Sequence, residues 1–169
     1  QATVMAALYL ARTEYAAEHD GAVPAEVLVI AMGRQGGREI GFGSDADVMI
    51  VAEPADGTDE AEAIAWAAKI IDQMRRRLSK PSGDPPLEVD LGLRPEGRSG
   101  PVVRSVASYE RYYREWGEVW ERQALLRATV VAGDRGVGDA FLEAIDEFRY
   151  PACGAKPADI REIRRIKAR

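Results

Sequence analysis

The stretch Gly33–Val51, GRQGGREIGFGSDADVMIV, carries a glycine-rich segment, two aspartates and an apolar run in close succession. Its last part, Asp47–Val51, is short, apolar and rich in β-branched residues, which predicts a buried strand. The run EVLVIAM at Glu26–Met32 has the same character and predicts a second strand. Two buried strands joined through glycines indicate a sheet at the core, with Asp45 and Asp47 at the mouth of one strand.

The rest of the chain predicts helices around this sheet. LEVDLGLRP at Leu87–Pro95 alternates apolar and polar residues and predicts a third strand, ended by Pro95. Apolar stripes at helical spacing, with glycine- or proline-containing breaks between them, predict helices at 2–19, 61–79, 105–131 (in two pieces broken near Gly117), 139–148 and from 158 onward, and loops at 33–43, 80–86 and 96–101. This order indicates an α/β (α+β) class, in which a small mixed β-sheet is flanked by helices and followed by a helical C-terminal extension.

Composition excludes several classes of protein. The 169 residues, 46% of them hydrophobic, are enough for one domain with a real core. A net charge of −5 argues against a general nucleic-acid or membrane-surface binder, and no apolar run approaches the ~20 residues of a membrane span. The single cysteine, Cys153, excludes an internal disulfide framework and fits a reducing cytoplasmic location. The start at Gln1 and the stop inside a charged helical pattern indicate a piece of a longer protein.

The aspartate pair suggests a metal site next to a phosphate site. Side chains alternate along a strand, so Asp45 and Asp47 share one face, about 7 Å apart along the backbone. Paired carboxylates suit Mg²⁺ or Mn²⁺, which substrate phosphates commonly complete. Glycines let backbone N–H groups approach an anion closely and Ser44 adds a hydroxyl; the glycines in question are Gly33, Gly36, Gly37, Gly41 and Gly43. The alternative is that both acids are solvated residues of a turn.

A third carboxylate strengthens the metal interpretation. Asp90 lies on the polar face of the third predicted strand, beside Glu88. Three carboxylates from neighbouring strands can hold two metal ions roughly 4 Å apart. On the same strand, Arg94 is expected to face the site, and Arg98 follows on a basic loop, so both are candidates for phosphate contacts. The alternative is that Glu88 and Asp90 face water on an open antiparallel sheet.

An aromatic stripe occupies the predicted helix that follows. Its members recur at i, i+3, i+4, i+7 and i+11, and they are Tyr109, Tyr112, Tyr113, Trp116 and Trp120. Such a stripe is expected to pack on the sheet. The alternative is that one of the rings stacks on a nucleotide base.

Three blocks of sequence together carry a family resemblance. A glycine followed at this distance by Asp45-x-Asp47 resembles the nucleotidyltransferase superfamily signature. The blocks MGRQGGREIGFGSDADVMIV, EVDLGLRPEGRSGPVVRS and YYREWGEVWERQALLRATVVAGD resemble the glutamine synthetase adenylyltransferase family over about residues 26–169. The resemblance implies a nucleotidyltransferase domain at 1–150 and, at 151–169, a linker and the start of a following helical domain.

The resemblance also implies a reaction and the residues that perform it. AMP would pass from ATP to a tyrosine of glutamine synthetase, an enzymatic (EC 2.7.7 type) step that regulates nitrogen assimilation. Asp45, Asp47 and Asp90 would be catalytic and hold Mg²⁺ or Mn²⁺, with Asp90 as candidate general base. ATP would be bound by Gly33, Gly36, Gly37, Gly43, Ser44, Arg94 and Arg98. The implied partners are glutamine synthetase and, through the full-length enzyme, a PII signal protein, without nucleic acid or membrane.

Two rival interpretations remain open at this point. The family carries two nucleotidyltransferase copies in tandem, and the N-terminal copy removes AMP by phosphorolysis with release of ADP. The sequence here resembles more closely the C-terminal, adenylylating copy of high-GC Gram-positive bacteria, but both copies share the metal motif. A rival of another class is a non-catalytic regulatory domain that binds nucleotide. The presence of all three carboxylates argues against that rival.

Overall fold

The computed structural model describes residues 1–21, 23–41, 43–80 and 85–167, with side chains as far as residue 165. The strands are β1 (Ala25–Ala31), β2 (Ala46–Pro54), β3 (Val89–Asp90), β4 (Val103–Arg104) and β5 (Thr129–Ala132). The helices are α1 (Ala2–Glu18), α2 (Gly33–Gly36), α3 (Glu60–Leu78), α4 (Val106–Glu115), α5 (Val119–Leu125), α6 (Arg135–Ala144), α7 (Asp146–Arg149) and α8 (Pro157–Lys167), with a 3₁₀ turn at Gly97–Ser99. The predicted loop at 80–86 lies largely outside the described residues.

The sheet is mixed, and β2 is its organising strand. The spatial order is β3-β2-β1-β5, and β4 also pairs with β2. β2 runs antiparallel to β1 along the whole of Ala25–Ala31. On its other edge β2 pairs in parallel with both β3 and β4. The expected class, a small mixed sheet flanked by helices, is therefore confirmed.

Alternation along β1 and β2 divides the core into two halves. One set of side chains, including Val27, Val29 and Ile50, packs under α1 and α3. The other set, including Leu28 and Met49, packs under α4, α5 and α6. Both central strands are buried on both faces, which explains why their sequences are almost continuously apolar. The two long helices begin and end within a residue or two of their predicted limits.

The third strand is much shorter than predicted. Alternation over Leu87–Pro95 predicted one continuous strand, but β3 contains only Val89 and Asp90. The Asp90 carboxylate accepts a hydrogen bond from the Gly92 N–H at 2.7 Å and turns the chain directly after the strand. Arg94 consequently does not share a strand face with Asp90, and that premise of the prediction is wrong.

The segment Ser105–Val131 was predicted to be helical, but its last part belongs to a strand. α4 ends at Glu115 and α5 spans Val119–Leu125, so the expected break near Gly117 is confirmed. The final segment, Thr129–Ala132, is β5, which pairs antiparallel with β1. The β-branched run TVV before Gly133 was the available signal for this strand.

Among the described residues, no helix has both the length and the apolarity that crossing a bilayer requires.

Candidate functional site

The candidate site lies where β2 and β3 begin to pair. Their parallel register places Ala46 opposite Val89 and Asp47 opposite Asp90. The Ala46 N–H donates to the Glu88 carbonyl at 2.7 Å, which fixes this register just after Asp45. One carboxylate oxygen from each of Asp45, Asp47 and Asp90 lies within 4.8 Å of the others. The structure therefore brings together the three carboxylates that the sequence singled out.

Nearby positive charge offsets the repulsion at Asp47 only in part. Burial raises the pKa of the Asp47 carboxyl above its usual value, and the neighbouring charges of Asp45 and Asp90 raise it further. Arg34 acts in the opposite direction but does not cancel these effects. Three convergent carboxylates under mutual repulsion form a donor set that fits a divalent cation such as Mg²⁺ or Mn²⁺. Their chemistry does not fit zinc, which prefers nitrogen and sulfur ligands.

Gly33 lies directly against this cluster. Its φ of +53° is a left-handed conformation that favours glycine. A Cβ atom at this position would approach the Oδ2 atom of Asp47 to 2.9 Å. The Met32 N–H, one residue earlier, donates to the Asp47 carbonyl at 2.9 Å. The glycine that begins α2, two residues after β1, thus makes room for the central carboxylate of the site.

Gly36 and Gly37 have a different environment from the one expected. Their N–H groups donate to the carbonyls of Met32 and Gly33, so they already serve the single turn of α2. A Cβ at Gly36 would lie 2.1 Å from the Arg127 carbonyl oxygen, and one at Gly37 would meet the Arg127 side chain. The N–H groups that were expected to donate to an anion therefore already donate to backbone carbonyls. The absence of a side chain at both residues instead lets α2 pack closely against Arg127.

Gly43 and Ser44 lead into Asp45 on the exposed side of the site. Gly43 has a φ of +75° and no heavy atom within 4 Å of its would-be Cβ. The Ser44 N–H donates to the Gly41 carbonyl at 3.1 Å, which closes a turn just before the aspartate pair. Both residues border the site, and their contact with nucleotide stays a prediction.

Arg94 is buried and bound to the backbone. Only 7% of its surface is exposed. Its guanidinium donates three hydrogen bonds to backbone carbonyls of the loop that follows β3. The side chain borders the same cavity as Asp45 and Asp90, and its contact with phosphate stays a prediction. Because the alternating pattern predicted a strand here, the turn that buries the side chain was missed.

Arg98 keeps the position that its sequence suggested. Its guanidinium lies 4.0 Å from Asp90 Oδ2, and 86% of the side chain is exposed. A cavity of about 440 Å³ opens beside it, and Asp45, Glu88 and Asp90 contribute to its wall. Arg75 from the last turn of α3 lines the same cavity, although the sequence suggested only that it complements the helix dipole. Acidic and basic groups thus face a common space, as a metal-polyphosphate ligand would require.

Comparisons with known proteins find one matching family model and several similar curated proteins. The family model for glutamate-ammonia ligase adenylyltransferase matches residues 1–144. The bifunctional glutamine synthetase adenylyltransferase/adenylyl-removing enzyme of Corynebacterium efficiens is 68% identical over 158 residues, which are 91% of this chain and 15% of that protein. The enzyme of the same name from Mycobacterium avium is 58% identical over 149 residues, which are 88% of this chain and 15% of that protein. The chain therefore spans about one seventh of the length of these curated relatives.

Proposed function

The chain belongs to the glutamate-ammonia ligase adenylyltransferase family, and on that premise we propose that it transfers AMP from ATP to a tyrosine of glutamine synthetase. The observation that carries the proposal is the convergence of Asp45, Asp47 and Asp90 within 4.8 Å on adjacent parallel strands. The relatives' names supply the substrate protein and the two opposed reactions. The presence of all three carboxylates favours catalysis over a non-catalytic nucleotide-binding domain, since carboxylates this close together cost free energy unless a cation binds between them.

The proposed reaction is an in-line displacement at phosphorus. The tyrosine hydroxyl forms a bond to the α-phosphorus of ATP, the bond to the bridging oxygen breaks, and pyrophosphate leaves. A divalent cation held by Asp45, Asp47 and Asp90 would neutralise charge on the phosphates. Asp90 is the candidate general base for the hydroxyl proton. Its Oδ1 atom is fixed by the Gly92 N–H at 2.7 Å, so the carboxylate holds one orientation. Arg98 and Arg75 would contact the polyphosphate from the cavity wall.

The removal of AMP from tyrosine is the second candidate, because the relatives' names include an adenylyl-removing activity. In that reaction an oxygen of inorganic phosphate bonds to the phosphorus of the AMP group, the bond from that phosphorus to the tyrosine oxygen breaks, and the products are ADP and the free tyrosine hydroxyl. The same carboxylates and the same cation would serve both reactions. A PII signal protein would act through other parts of the full-length protein, and both partners would be met in the cytoplasm.

The test supplies each direction with its own substrate. Unmodified glutamine synthetase and ATP labelled at the α-phosphorus should yield labelled tyrosine, in a reaction that depends on Mg²⁺ or Mn²⁺. Asp45→Asn and Asp47→Asn should each lower the rate more than about 100-fold, since each removes a ligand charge from the site. Asp139→Asn, on the exposed surface of α6, is the matched control and should react normally.

The alternatives give different results in the same assay. ADP release from adenylylated glutamine synthetase and phosphate, without label transfer from ATP, would assign the chain to the removing reaction. Failure of both reactions, together with nucleotide binding that is indifferent to Asp45→Asn, would identify a regulatory domain.

A further inference from the structure

The loop Leu91–Gly100 is folded around the buried side chain of Arg94. Arg94 Nη1 donates to the Leu91 carbonyl at 2.7 Å, and Nε donates to the Gly100 carbonyl at 3.0 Å. Arg94 Nη2 donates to the Arg98 carbonyl at 2.9 Å. All three nitrogen atoms of the guanidinium are thus bound to the backbone at the start, the middle and the end of the loop. The planar fork of arginine suits this arrangement because its donors point outward in fixed directions.

The loop needs internal donors because its backbone turns tightly. Glu96 and Gly97 both have positive φ angles, +62° and +57°. A Cβ at Gly100 would lie 2.1 Å from the Pro95 carbonyl oxygen, so the end of the loop folds back against its middle. Backbone bonds within the loop are few, and the Gly97 N–H to Arg94 carbonyl bond of 2.8 Å is the shortest. The Arg94 side chain adds donors for the carbonyls of Arg98 and Gly100, and a second donor for the Leu91 carbonyl, which also accepts from the Arg94 N–H at 3.3 Å.

Two of the three residues held by Arg94, Leu91 and Arg98, lie next to the carboxylate cluster. Leu91 follows Asp90 directly, so its fixed carbonyl sets the direction in which the chain leaves the carboxylate cluster. Arg98 carries the exposed guanidinium that lies 4.0 Å from Asp90 Oδ2. Both Asp90 and Arg98 line the cavity described above. Movement of this loop would therefore change a carboxylate and a phosphate-binding cation together.

We propose that Arg94 is a positioning residue, which holds Arg98 against the phosphates of the nucleotide without contacting them itself. This inference rests on the proposed function, since it requires a polyphosphate in the cavity. A lysine at position 94 keeps the charge, but its single nitrogen cannot reach three carbonyls spread around a plane. Loss of the bonds to Gly100 and Arg98 would release the loop and with it the Arg98 side chain.

The experiment is a double-mutant cycle in the full-length protein. Arg94→Lys, Arg98→Ala and the double variant are compared with the parent for the dissociation constant of ATP in Mn²⁺, measured by calorimetry. Each single variant is expected to bind ATP about tenfold more weakly. The double variant is expected to equal Arg98→Ala within about twofold, because Arg94 acts through Arg98.

Arg149→Lys is the matched control. Arg149 is another buried arginine, 8% exposed. Its Nε atom donates to the Leu125 carbonyl at 3.1 Å, in the half of the core that lies under α5. This variant should lower the thermal unfolding temperature and leave the affinity for ATP within about twofold of the parent. Where Arg94→Lys does not fold, Arg94→Gln replaces it, because the neutral amide also breaks the three-carbonyl network but leaves no buried charge without its partners.

The outcomes separate the inference from the proposed function. The positioning role of Arg94 would be overturned if the increase in the ATP dissociation constant of the double variant were the product of the two single increases. It would also be overturned if Arg149→Lys weakened ATP binding as much as Arg94→Lys does. A folded Arg94 variant that binds ATP like the parent would overturn it too. A parent protein that binds neither Mn²⁺, followed by electron paramagnetic resonance, nor ATP would instead overturn the proposed function.

Discussion

At the scale of single residues, Gly33 shows how the backbone conformation of one glycine makes room for a carboxylate of the candidate site. It begins α2, adopts a φ of +53° and lies so close to Asp47 that a Cβ would stand 2.9 Å from Oδ2. Other glycines of the same segment have packing roles against Arg127, as described above. The glycine-rich segment is therefore not one uniform anion cradle. Its first member makes room for a carboxylate, and later members allow α2 to pack closely.

We predict that Gly33→Ala weakens metal binding more than it weakens the fold. The added Cβ would displace the Asp47 carboxylate, and the affinity for Mn²⁺ should fall about 10- to 100-fold, the range found when a group that orients a ligand is lost. The left-handed backbone should cost roughly 1 kcal/mol of stability. Electron paramagnetic resonance of Mn²⁺ measures the first effect and urea unfolding the second.

Gly57→Ala is the control for backbone strain alone. Gly57 has a φ of +78° and no heavy atom within 4 Å of a would-be Cβ. It lies in the turn after β2, away from the carboxylates, so this variant should lose similar stability and keep the parent's affinity for Mn²⁺. Equal losses of Mn²⁺ affinity in both variants would show that Gly33 has no special contact with Asp47.

At the scale of secondary-structure elements, the aromatic stripe fastens α4 to the sheet. Tyr109 and Tyr113 are buried against β2, and the Tyr109 hydroxyl donates to the Ile50 carbonyl at 2.9 Å. Trp116 is exposed beyond the end of the helix. The expectation that the stripe packs on the sheet is confirmed for its first half. Burial raises the pKa of the Tyr109 phenol far above its usual value, so the hydroxyl remains a donor over the whole accessible pH range.

We predict that Tyr109→Phe destabilises the protein by about 1–3 kcal/mol, because it leaves the fully buried Ile50 carbonyl without this donor. The matched control is Tyr150→Phe, since the Tyr150 hydroxyl also donates to a backbone carbonyl, that of Leu126, at 2.9 Å. Tyr150 is exposed, so water can replace its bond and the change should stay within about 0.5 kcal/mol. Urea unfolding measures the loss of stability in each variant. Equal losses in Tyr109→Phe and Tyr150→Phe would mean that burial of the hydroxyl does not determine how much its hydrogen bond contributes.

At the scale of the whole molecule, the site forms where distant parts of the chain meet. Asp45 and Asp47 belong to the start of β2, while Asp90 arrives from β3 after the whole of α3. The parallel register of β2 and β3 sets the distances between the carboxylates. Folding thus brings like charges together, and the free energy of unfolding should reflect that repulsion until a cation is bound.

We predict that Asp47→Asn raises the thermal unfolding temperature of the metal-free protein near pH 7. The folded state raises the pKa of Asp47 above its usual 3.8, so folding favours the protonated carboxyl. The resulting loss of folding free energy is absent when the pH is below the pKa of Asp47 in the unfolded state. It is fully present when the pH is above the pKa of Asp47 in the folded state. The difference between variant and parent should therefore shrink as the pH falls toward 3.8. Calorimetry over a pH series measures this difference.

In the presence of Mn²⁺ we expect the parent protein to become more stable than Asp47→Asn. Mn²⁺ binds the folded parent and raises its unfolding temperature. The asparagine variant has lost a ligand and should respond weakly. Asp139→Asn, on the surface of α6, should follow the parent under all conditions. A parent that is more stable than Asp47→Asn without metal would contradict the interpretation of the cluster as repulsive.

The sequence by itself determined which carboxylates form the candidate site and which two strands form the centre of the fold. Continuous apolar runs identified β1 and β2, because strands buried on both faces carry few polar residues. Helical spacing identified α1 and α3. The three carboxylates could be named because acids beside buried strands are costly without a cation. All of these signals are local, since they depend on residues close to each other in the chain.

Only the tertiary structure decided the length of β3, the presence of β4 and β5, and the role of Arg94. β3 and β4 contain two residues each and exist because β2 offers an edge to pair with. β5 follows a helix without a breaking residue and is a strand because it lies beside β1. Arg94 is buried because the loop carbonyls converge on it. Each outcome depends on partners that a local pattern does not contain, and non-local pairing energies then override local propensity.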